Sequence, residues 1–158
     1  MYVLNWKRAT RFGLGVLGIL LAIQLVPYGR DHTNPPVTTE PAWDSPETRV
    51  LARQACFDCH SNETQWPAYS WVAPVSWLVQ HDVVEGRAVL NFSEWHRPQE
   101  EAGEAAQTVF EREMPPKLYE LMHSHAHLSD ADRVRLRLGL ERTLGNSEAQ
   151  RRNPEGPR

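Results

Sequence analysis

A five-residue motif, Cys56-Phe57-Asp58-Cys59-His60, constrains this chain more than any other feature of its sequence. Two cysteines separated by two residues and followed directly by a histidine form the attachment motif of a c-type haem. The spacing suits the chemistry, because one helical turn presents both sulfurs to the porphyrin edge, where each thiol forms a thioether with a vinyl group. His60 is then placed against the iron as its first axial ligand. The motif predicts one covalent haem c, bound through Cys56 and Cys59.

Two other kinds of site use closely spaced cysteines. A thioredoxin-like redox pair requires a βαβ context, and the sequence shows none. A structural zinc site in an interaction module requires four ligands; the motif supplies three, so a distant histidine would have to complete the set. The chain contains 2 cysteines, which leaves none for an ordinary disulfide. Haem attachment is favoured over both alternatives, because the N-terminal segment agrees with it.

Residues 1–30 have the composition of an export signal that is retained as a membrane anchor. Three basic residues and no acid precede the apolar run: Lys7, Arg8 and Arg11. The run extends from Phe12 to Tyr28 with Gln24 as its polar exception, and its basic flank predicts a cytoplasmic N terminus. A cleaved signal peptide is the alternative, but no small-residue cleavage site follows. We therefore predict a single-pass transmembrane helix in the bacterial cytoplasmic membrane, with the haem domain on the periplasmic side.

The rest of the sequence divides into three segments. Residues 31–44 are rich in proline, and this composition predicts a stiff, extended linker. Residues 45–145 predict one c-type haem-binding domain, in which a buried porphyrin supplies much of a small core. Residues 146–158 are polar and predict a flexible tail. The formal net charge of −3 argues against nucleic acid as a partner. The expected partners are the membrane, because of the N-terminal segment, and redox proteins, because of the haem.

Helical signals recur through this domain and predict an all-α fold. Ser45 and Pro46 form a helix start, and that helix continues into the haem motif. Apolar residues follow one another at three- and four-residue steps between residues 75 and 90, and residues 100–113 also have a helical pattern. Ser129 is suited to cap a last helix, whose first turn is acidic. The sequence shows no convincing period-two run, so strands are not expected.

The order of these features resembles that of class I cytochromes c, in which a helix leads into Cys-x-x-Cys-His, a Met-Pro pair comes late and a last helix closes the fold. The chain is more specifically similar to the bacterial haem-binding domain family, over about residues 45–143. The segments that carry this similarity are residues 55–66, 71–77, 85–87, 91–95 and 114–130. The resemblance implies a cytochrome c-like helical domain around one covalent haem, in an exported or membrane-anchored protein.

Met114 is the predicted second axial ligand of the iron. Two prolines follow it, which prevent a helix and hold the segment extended, as a ligand-bearing loop requires. Small bacterial cytochromes c present their ligand methionine in similar settings. Bis-histidine ligation through a cluster of three histidines and an open sixth position are the alternatives. The histidines of this cluster are His123, His125 and His127.

Further residues are predicted to surround the haem. Aromatic side chains concentrated after the motif would exclude water and donate to the propionates, although an ordinary aromatic core is an alternative for each. These aromatic residues are Trp66, Tyr69, Trp71, Trp77, Phe92 and Trp95. The resemblance to class I cytochromes implies that the Pro74 carbonyl accepts the N–H of His60, which would orient the ring. Arg87 and Asn91 are candidates for contacts with the propionates.

A haem iron that is ligated by histidine and methionine favours one-electron transfer. Protein ligands fill both of its axial positions, so the ligand geometry changes little when the oxidation state changes. No acid–base constellation stands out beyond the haem, so a carrier is favoured over an enzyme. The predicted function is that of a membrane-anchored periplasmic mono-haem c-type cytochrome transferring single electrons. A haem-based sensor or gas-binding module and a small haem peroxidase are the alternatives, and both need an open or labile sixth ligand.

Overall fold

The structure, a computed structural model, describes the backbone of residues 6–152 and the side chains through residue 145. Within this range the chain forms seven α-helices: α1 (Trp6–Ile23), α2 (Pro46–Ala55), α3 (Phe57–His60), α4 (Val75–Val89), α5 (Ala105–Phe110), α6 (Lys117–Met122) and α7 (Asp130–Arg152). Two 3-10 helices lie at Ala68–Trp71 and Ser124–Ala126. The described residues contain no strand, and Thr39 and Glu94 form an isolated bridge. The predicted all-α class is confirmed.

Two compact units divide the chain. The first consists of Met1–Thr33 and Trp66–Asp82, and the second of Asn34–Gln65 and Val83–Arg158. Within the first unit, residues 66–82 form hydrogen bonds and ring stacks with the N-terminal segment. The linear pattern of the sequence does not show this pairing of distant segments. The division into anchor, linker, one domain and tail stays a prediction.

Both predicted helix starts in the second unit are confirmed by their caps. The Ser45 hydroxyl accepts a hydrogen bond from the Thr48 N–H at 3.2 Å, and the Ser129 hydroxyl accepts one from the Asp132 N–H at 3.1 Å. The two helices that begin there, α2 and α7, pack closely. A Cβ atom on Gly139 would lie 2.1 Å from Thr48 Oγ1, so this contact requires a residue without a side chain.

The core of the second unit is formed by α2, α3, α5 and α7 together with the loop after α4. Its buried apolar residues include Leu51, Ala52, Phe57, Leu90, Phe92, Ala106, Val109, Leu136 and Leu140. Phe57, inside the haem motif, stacks on Phe92 with ring centroids 5.6 Å apart, and Trp95 stacks on the same ring at 6.1 Å. The haem motif is therefore anchored in the core by its own aromatic residue.

Residues 34–44, most of the predicted linker, pack on the second unit. The N–H and the hydroxyl of Thr38 both donate to the Ser93 carbonyl, at 2.9 and 3.0 Å. The Trp43 ring lies 5.2 Å from that of Phe92, measured between centroids. The backbone of this extended segment has no partners within itself, so its N–H and C=O groups bond to the loop after α4.

Two helices differ in length from the prediction. Helix α5 covers Ala105–Phe110 rather than residues 100–113, and Arg112, in the left-handed region at φ 62°, lies in the turn that follows it. Helix α7 continues to Arg152, into the predicted flexible tail, because the sequence there contains neither proline nor another strong helix breaker after Gly145. The rest of that tail, residues 153–158, lies outside the described residues.

The predicted transmembrane helix falls on α1, in the first unit. Its large apolar side chains are exposed, with Trp6 and Phe12 at 81% and 75%. Within the described part of the chain, no helix has both the length and the apolar character needed to cross a membrane.

Gln24, the polar residue within the apolar N-terminal segment, is hydrogen-bonded inside the first unit. Its side-chain amide pairs with the Ala73 backbone: Nε2 donates to the carbonyl at 2.9 Å, and Oε1 accepts from the N–H at 3.0 Å. Gly29 follows at φ 79°, and a Cβ atom there would lie 2.3 Å from the Ser76 carbonyl oxygen. The chain after α1 is thus held against residues 73–76.

Candidate functional site

The haem motif is wound into a helical turn at the end of α2. The Cys56 N–H donates to the Ala52 carbonyl at 2.8 Å, and the His60 N–H donates to the Cys56 carbonyl at 2.8 Å. The motif is therefore one turn of helix, as its spacing predicts. Burial, together with the nearby Cys59, raises the pKa of the Cys56 thiol to about 12, so this thiol is protonated and uncharged.

The His60 ring is oriented by two backbone carbonyls. Its Nδ1 lies 3.0 Å from the Gly86 oxygen and 3.1 Å from the Leu90 oxygen. Because carbonyl oxygens only accept hydrogen bonds, Nδ1 must carry the proton, and Nε2 keeps its lone pair. Burial lowers the pKa of His60, which favours this neutral form. His60 is thus prepared to bind a metal through Nε2.

Pro74, the predicted acceptor for His60, has another role. Its carbonyl accepts the Trp77 N–H at 3.1 Å and the Leu78 N–H at 3.4 Å, which starts α4. The acceptors that His60 uses are Gly86, in the last turn of α4, and Leu90, which directly follows that helix. The Gly86 carbonyl also accepts the Leu90 N–H at 3.0 Å, and a carbonyl oxygen has a second lone pair for the imidazole.

A pocket that is open to solvent lies beside His60. Its walls are mainly apolar. The lining residues are Ala55, Cys56, His60, Leu90, Phe92, Glu101, Glu104, Ala105, Thr108, Val109, Met114 and Leu140. The structure therefore brings the predicted methionine to the same pocket as the cysteine and histidine of the motif.

Met114 lies in the loop between α5 and α6. Its N–H donates to the Thr108 carbonyl at 3.2 Å, and its side chain is partly buried against the core. Helix α6 begins at Lys117, with Pro116 as its N-cap in an extended conformation. The two prolines thus keep Met114 outside a helix, as the sequence predicts.

The three clustered histidines do not line this pocket. His123 Nδ1 lies 3.1 Å from the Tyr119 carbonyl oxygen, and the two rings stack with centroids 4.2 Å apart. His125 meets His123 edge-on at 5.6 Å, and His127 is exposed. Among the described residues, no group of three or more histidine, cysteine or acidic side chains has the arrangement needed to hold a metal ion, as the alternative zinc site would.

Arg87 and Asn91, the candidates for propionate contacts, bind other groups of the protein. Arg87 Nε donates to the Ser61 carbonyl at 2.8 Å, and Nη2 donates to Thr64 Oγ1 at 2.8 Å. Asn91 is buried, and its Nδ2 donates to Asn62 Oδ1 at 2.9 Å. Neither residue lines the pocket. Both instead stabilise the loop that directly follows His60.

The predicted aromatic wall is divided between the two units. Phe92 lines the pocket, and Trp95 stacks behind it in the second unit. The members that belong to the first unit, together with Pro74, are Trp66, Tyr69, Trp71 and Trp77. In that unit the Trp66 ring stacks on His32 with centroids 4.5 Å apart, and Trp71 meets His32 edge-on at 4.2 Å.

Several residues that build the site were missed at the level of the sequence. A Cβ atom on Gly86 would lie 2.6 Å from the Cys59 carbonyl oxygen, so α4 approaches the motif at a glycine. A glycine inside a helical pattern costs about 1 kcal/mol relative to alanine, and that signal could have identified it as a close contact. Leu140 and the two glutamates of the pocket carry no such signal.

The donor groups of the pocket fit a haem. Cys56 offers a thiol, His60 offers an imidazole with its Nε2 lone pair available, and Met114 offers a thioether. Cys59, the second predicted attachment residue, does not line the pocket and lies against Gly86 of α4. Apolar walls suit the porphyrin faces. The sequence model of the haem-binding domain family matches residues 18–142. Neither a curated protein nor a solved structure matches the chain significantly. Because the match extends over most of the chain, this protein belongs to the haem-binding domain family.

Proposed function

We propose that this protein is an exported, membrane-attached c-type cytochrome that carries single electrons on one covalent haem. The observation that supports this most strongly is the shared pocket of Cys56, His60 and Met114. A thiol, an imidazole and a thioether at one apolar pocket are the groups that attach and ligate the haem of an electron-transfer cytochrome c.

Each protein group has a distinct role in this proposal. The Cys56 and Cys59 thiols would hold the haem covalently, each through one thioether formed with a vinyl group. His60 Nε2 would bind the iron, and the two carbonyls on Nδ1 fix the plane of the ring and raise its basicity. Met114 would bind the iron through its thioether. When bound, the haem supplies an iron that gains and loses one electron.

Electron transfer is favoured over gas binding by the way in which both ligands are held. Two carbonyls orient His60, and Met114 is tied through its own backbone N–H to Thr108. Ligands that are held in position reorganise little between oxidation states, which favours rapid one-electron transfer. A sensor or a peroxidase needs a sixth position that opens.

Attachment to the membrane is supported by α1 and its basic residues. None of its residues is buried and most of its large apolar side chains are exposed; such a surface marks a site of contact with a membrane or a protein. Lys7, Arg8 and Arg11, in the first turns of α1, are expected to remain on the cytoplasmic side, so the haem is proposed to lie on the periplasmic side. Attachment would concentrate the cytochrome near membrane redox proteins, its proposed partners.

Visible spectra of the purified holoprotein and two variants test the haem ligands. The wild-type protein should show a methionine–iron charge-transfer band and no spectral shift when carbon monoxide is added to the reduced form. Met114→Ala should lose the band, bind carbon monoxide and have a lower reduction potential. Met122→Ala is the matched control, since this methionine lies in α6 and is 54% exposed.

The outcomes separate the competing functions. A Met114→Ala spectrum identical to that of the wild type would refute the ligand assignment and turn attention to the clustered histidines. A wild-type protein that binds carbon monoxide would instead favour a sensor or a peroxidase. Retention of covalent haem after Cys56→Ala and Cys59→Ala are combined would refute the c-type attachment itself.

A further inference from the structure

A buried arginine lies behind the Met114 loop. Arg133, in the first turn of α7, is 4% exposed. Its Nη1 donates to the Val109 carbonyl at 2.9 Å and to the Met114 carbonyl at 2.8 Å, and its Nη2 donates to Glu120 Oε1 at 3.1 Å. A buried guanidinium is costly unless its charge is paired and its N–H groups are bonded. These partners bind both Nη atoms and pair the charge, whereas Nε is buried without a hydrogen-bond partner.

The three partners lie on three successive parts of the chain. Val109 is in the last turn of α5, Met114 is in the loop, and Glu120 is in α6. Met114 is therefore held on both sides of its own backbone, with its N–H on Thr108 and its carbonyl on Arg133. A displacement of the loop away from the pocket would break the bond between Met114 and the guanidinium.

We propose that Arg133 is a positioning residue that keeps the Met114 loop closed on the pocket and thereby favours methionine-bound iron over an open sixth position. This inference rests on the proposed function, because it takes Met114 as the distal ligand. Arg133 does not line the pocket, so its effect is exerted through the backbone of the ligand.

Two other arginines of α7 pair with acidic side chains of their own helix. Arg135 pairs with Asp132, and its side chain is 59% exposed; Arg137 pairs with Glu141 one turn along the helix. Neither has a carbonyl of the ligand loop among its hydrogen-bond partners. If position 133 only had to fill the core, an apolar side chain would do so without desolvating a charge. The planar arrangement of N–H donors in a guanidinium is suited to bridge two carbonyls and a carboxylate.

The test compares holoprotein variants by three measurements: the methionine–iron band, the affinity of the reduced protein for carbon monoxide, and thermal unfolding. Arg133→Met removes the donors and keeps much of the volume, Arg133→Lys keeps the charge, and Arg135→Met is the matched control. Loss of hydrogen bonds to a charged group should raise the carbon monoxide affinity of Arg133→Met by about tenfold or more, equivalent to about 1.4 kcal/mol, with a weaker band. Arg133→Lys should show a smaller change, and Arg135→Met should match the wild type.

Glu120→Gln provides a second route if Arg133→Met does not fold, since it weakens the hold on Arg133 without removing the arginine. It should raise carbon monoxide affinity by less than Arg133→Met does. The inference would be overturned if the folded Arg133 variants kept the methionine–iron band and the carbon monoxide affinity of the wild type, even if their thermal stability fell. The same two results in both Glu120→Gln and Arg133→Lys would also overturn it. If Met114→Ala also leaves the spectrum unchanged, it is the ligand assignment that fails. If Met114→Ala abolishes the band while the Arg133 variants retain it, only the positioning role fails.

Discussion

Replacing Gly86 by alanine tests how the haem motif is supported. The added Cβ atom would lie 2.6 Å from the Cys59 carbonyl oxygen and 3.1 Å from both the carbonyl carbon and the Cβ of Cys59. None of these atoms is the far end of a flexible side chain, so α4 must move away from the motif. That movement pulls the Gly86 carbonyl from His60 Nδ1, which it meets at 3.0 Å.

Three terms determine the size of the effect. Alanine improves helix propensity by about 1 kcal/mol, whereas forcing an extra carbon into a packed contact costs about 1–3 kcal/mol. Loss of one hydrogen bond of His60 adds about 1 kcal/mol. We therefore expect Gly86→Ala to lower the free energy of unfolding by about 1–3 kcal/mol, and to raise the reduction potential because the imidazole becomes less basic.

Denaturant unfolding of the holoprotein and a redox titration measure these two quantities. Gly145→Ala is the matched control, because it also lies in a helix but its added Cβ would have no atom within 4 Å. It should stabilise the protein by up to about 1 kcal/mol and leave the potential unchanged. A Gly86→Ala protein as stable as Gly145→Ala, with the wild-type potential, would refute this account of the contact between α4 and the motif.

Three other outcomes are expected. The Arg49 guanidinium, hydrogen-bonded to Glu40, holds the pKa of the Glu40 carboxyl below its usual 4.5. The ion pair therefore stabilises the fold above pH 4.5, and this stabilisation is lost as the pH falls through the lowered pKa of Glu40. Glu40→Gln should therefore make stability less dependent on pH below about 5 in acid titrations followed by circular dichroism, and an unchanged pH profile would contradict this. Leu140→Ala should cost about 2–5 kcal/mol in unfolding experiments, because the side chain is buried at the pocket, whereas Leu138→Ala on the exposed side of α7 should cost much less; equal losses would contradict the packing described. The full-length protein should remain in the membrane fraction after an alkaline wash, and its release would count against the proposed attachment.

Much of the candidate site could be predicted because its chemistry is local in sequence. The spacing of Cys56 and Cys59 fits a helical turn, and the structure forms that turn. The two prolines after Met114 exclude a helix, and Met114 lies in a loop at the pocket. The caps Ser45 and Ser129 depend only on the residues that follow them, so the starts of α2 and α7 could be found from the sequence.

The contacts that hold these site residues in position were not predictable, because each contact is made by residues distant in the sequence. The carbonyl acceptors of His60 lie 26 and 30 residues away, and only the packing of α4 on the motif determines that they are Gly86 and Leu90 rather than Pro74. Residues 34–44 had the composition of a spacer, but hydrogen bonds to the loop after α4 attach them to the second unit.

The sequence by itself determined the helical class of this protein and the identity of the groups that can hold a haem, since caps, helix breakers and the cysteine spacing act over a few residues. Only the tertiary structure decided which of those groups meet at one pocket and what holds them there. Arg133 illustrates the difference: in the sequence it is one of several arginines in a polar helix, and its burial against the Met114 carbonyl arises only when α7 packs on α5. The physical reason is that packing joins residues that chain connectivity keeps far apart, and a local pattern does not contain those contacts.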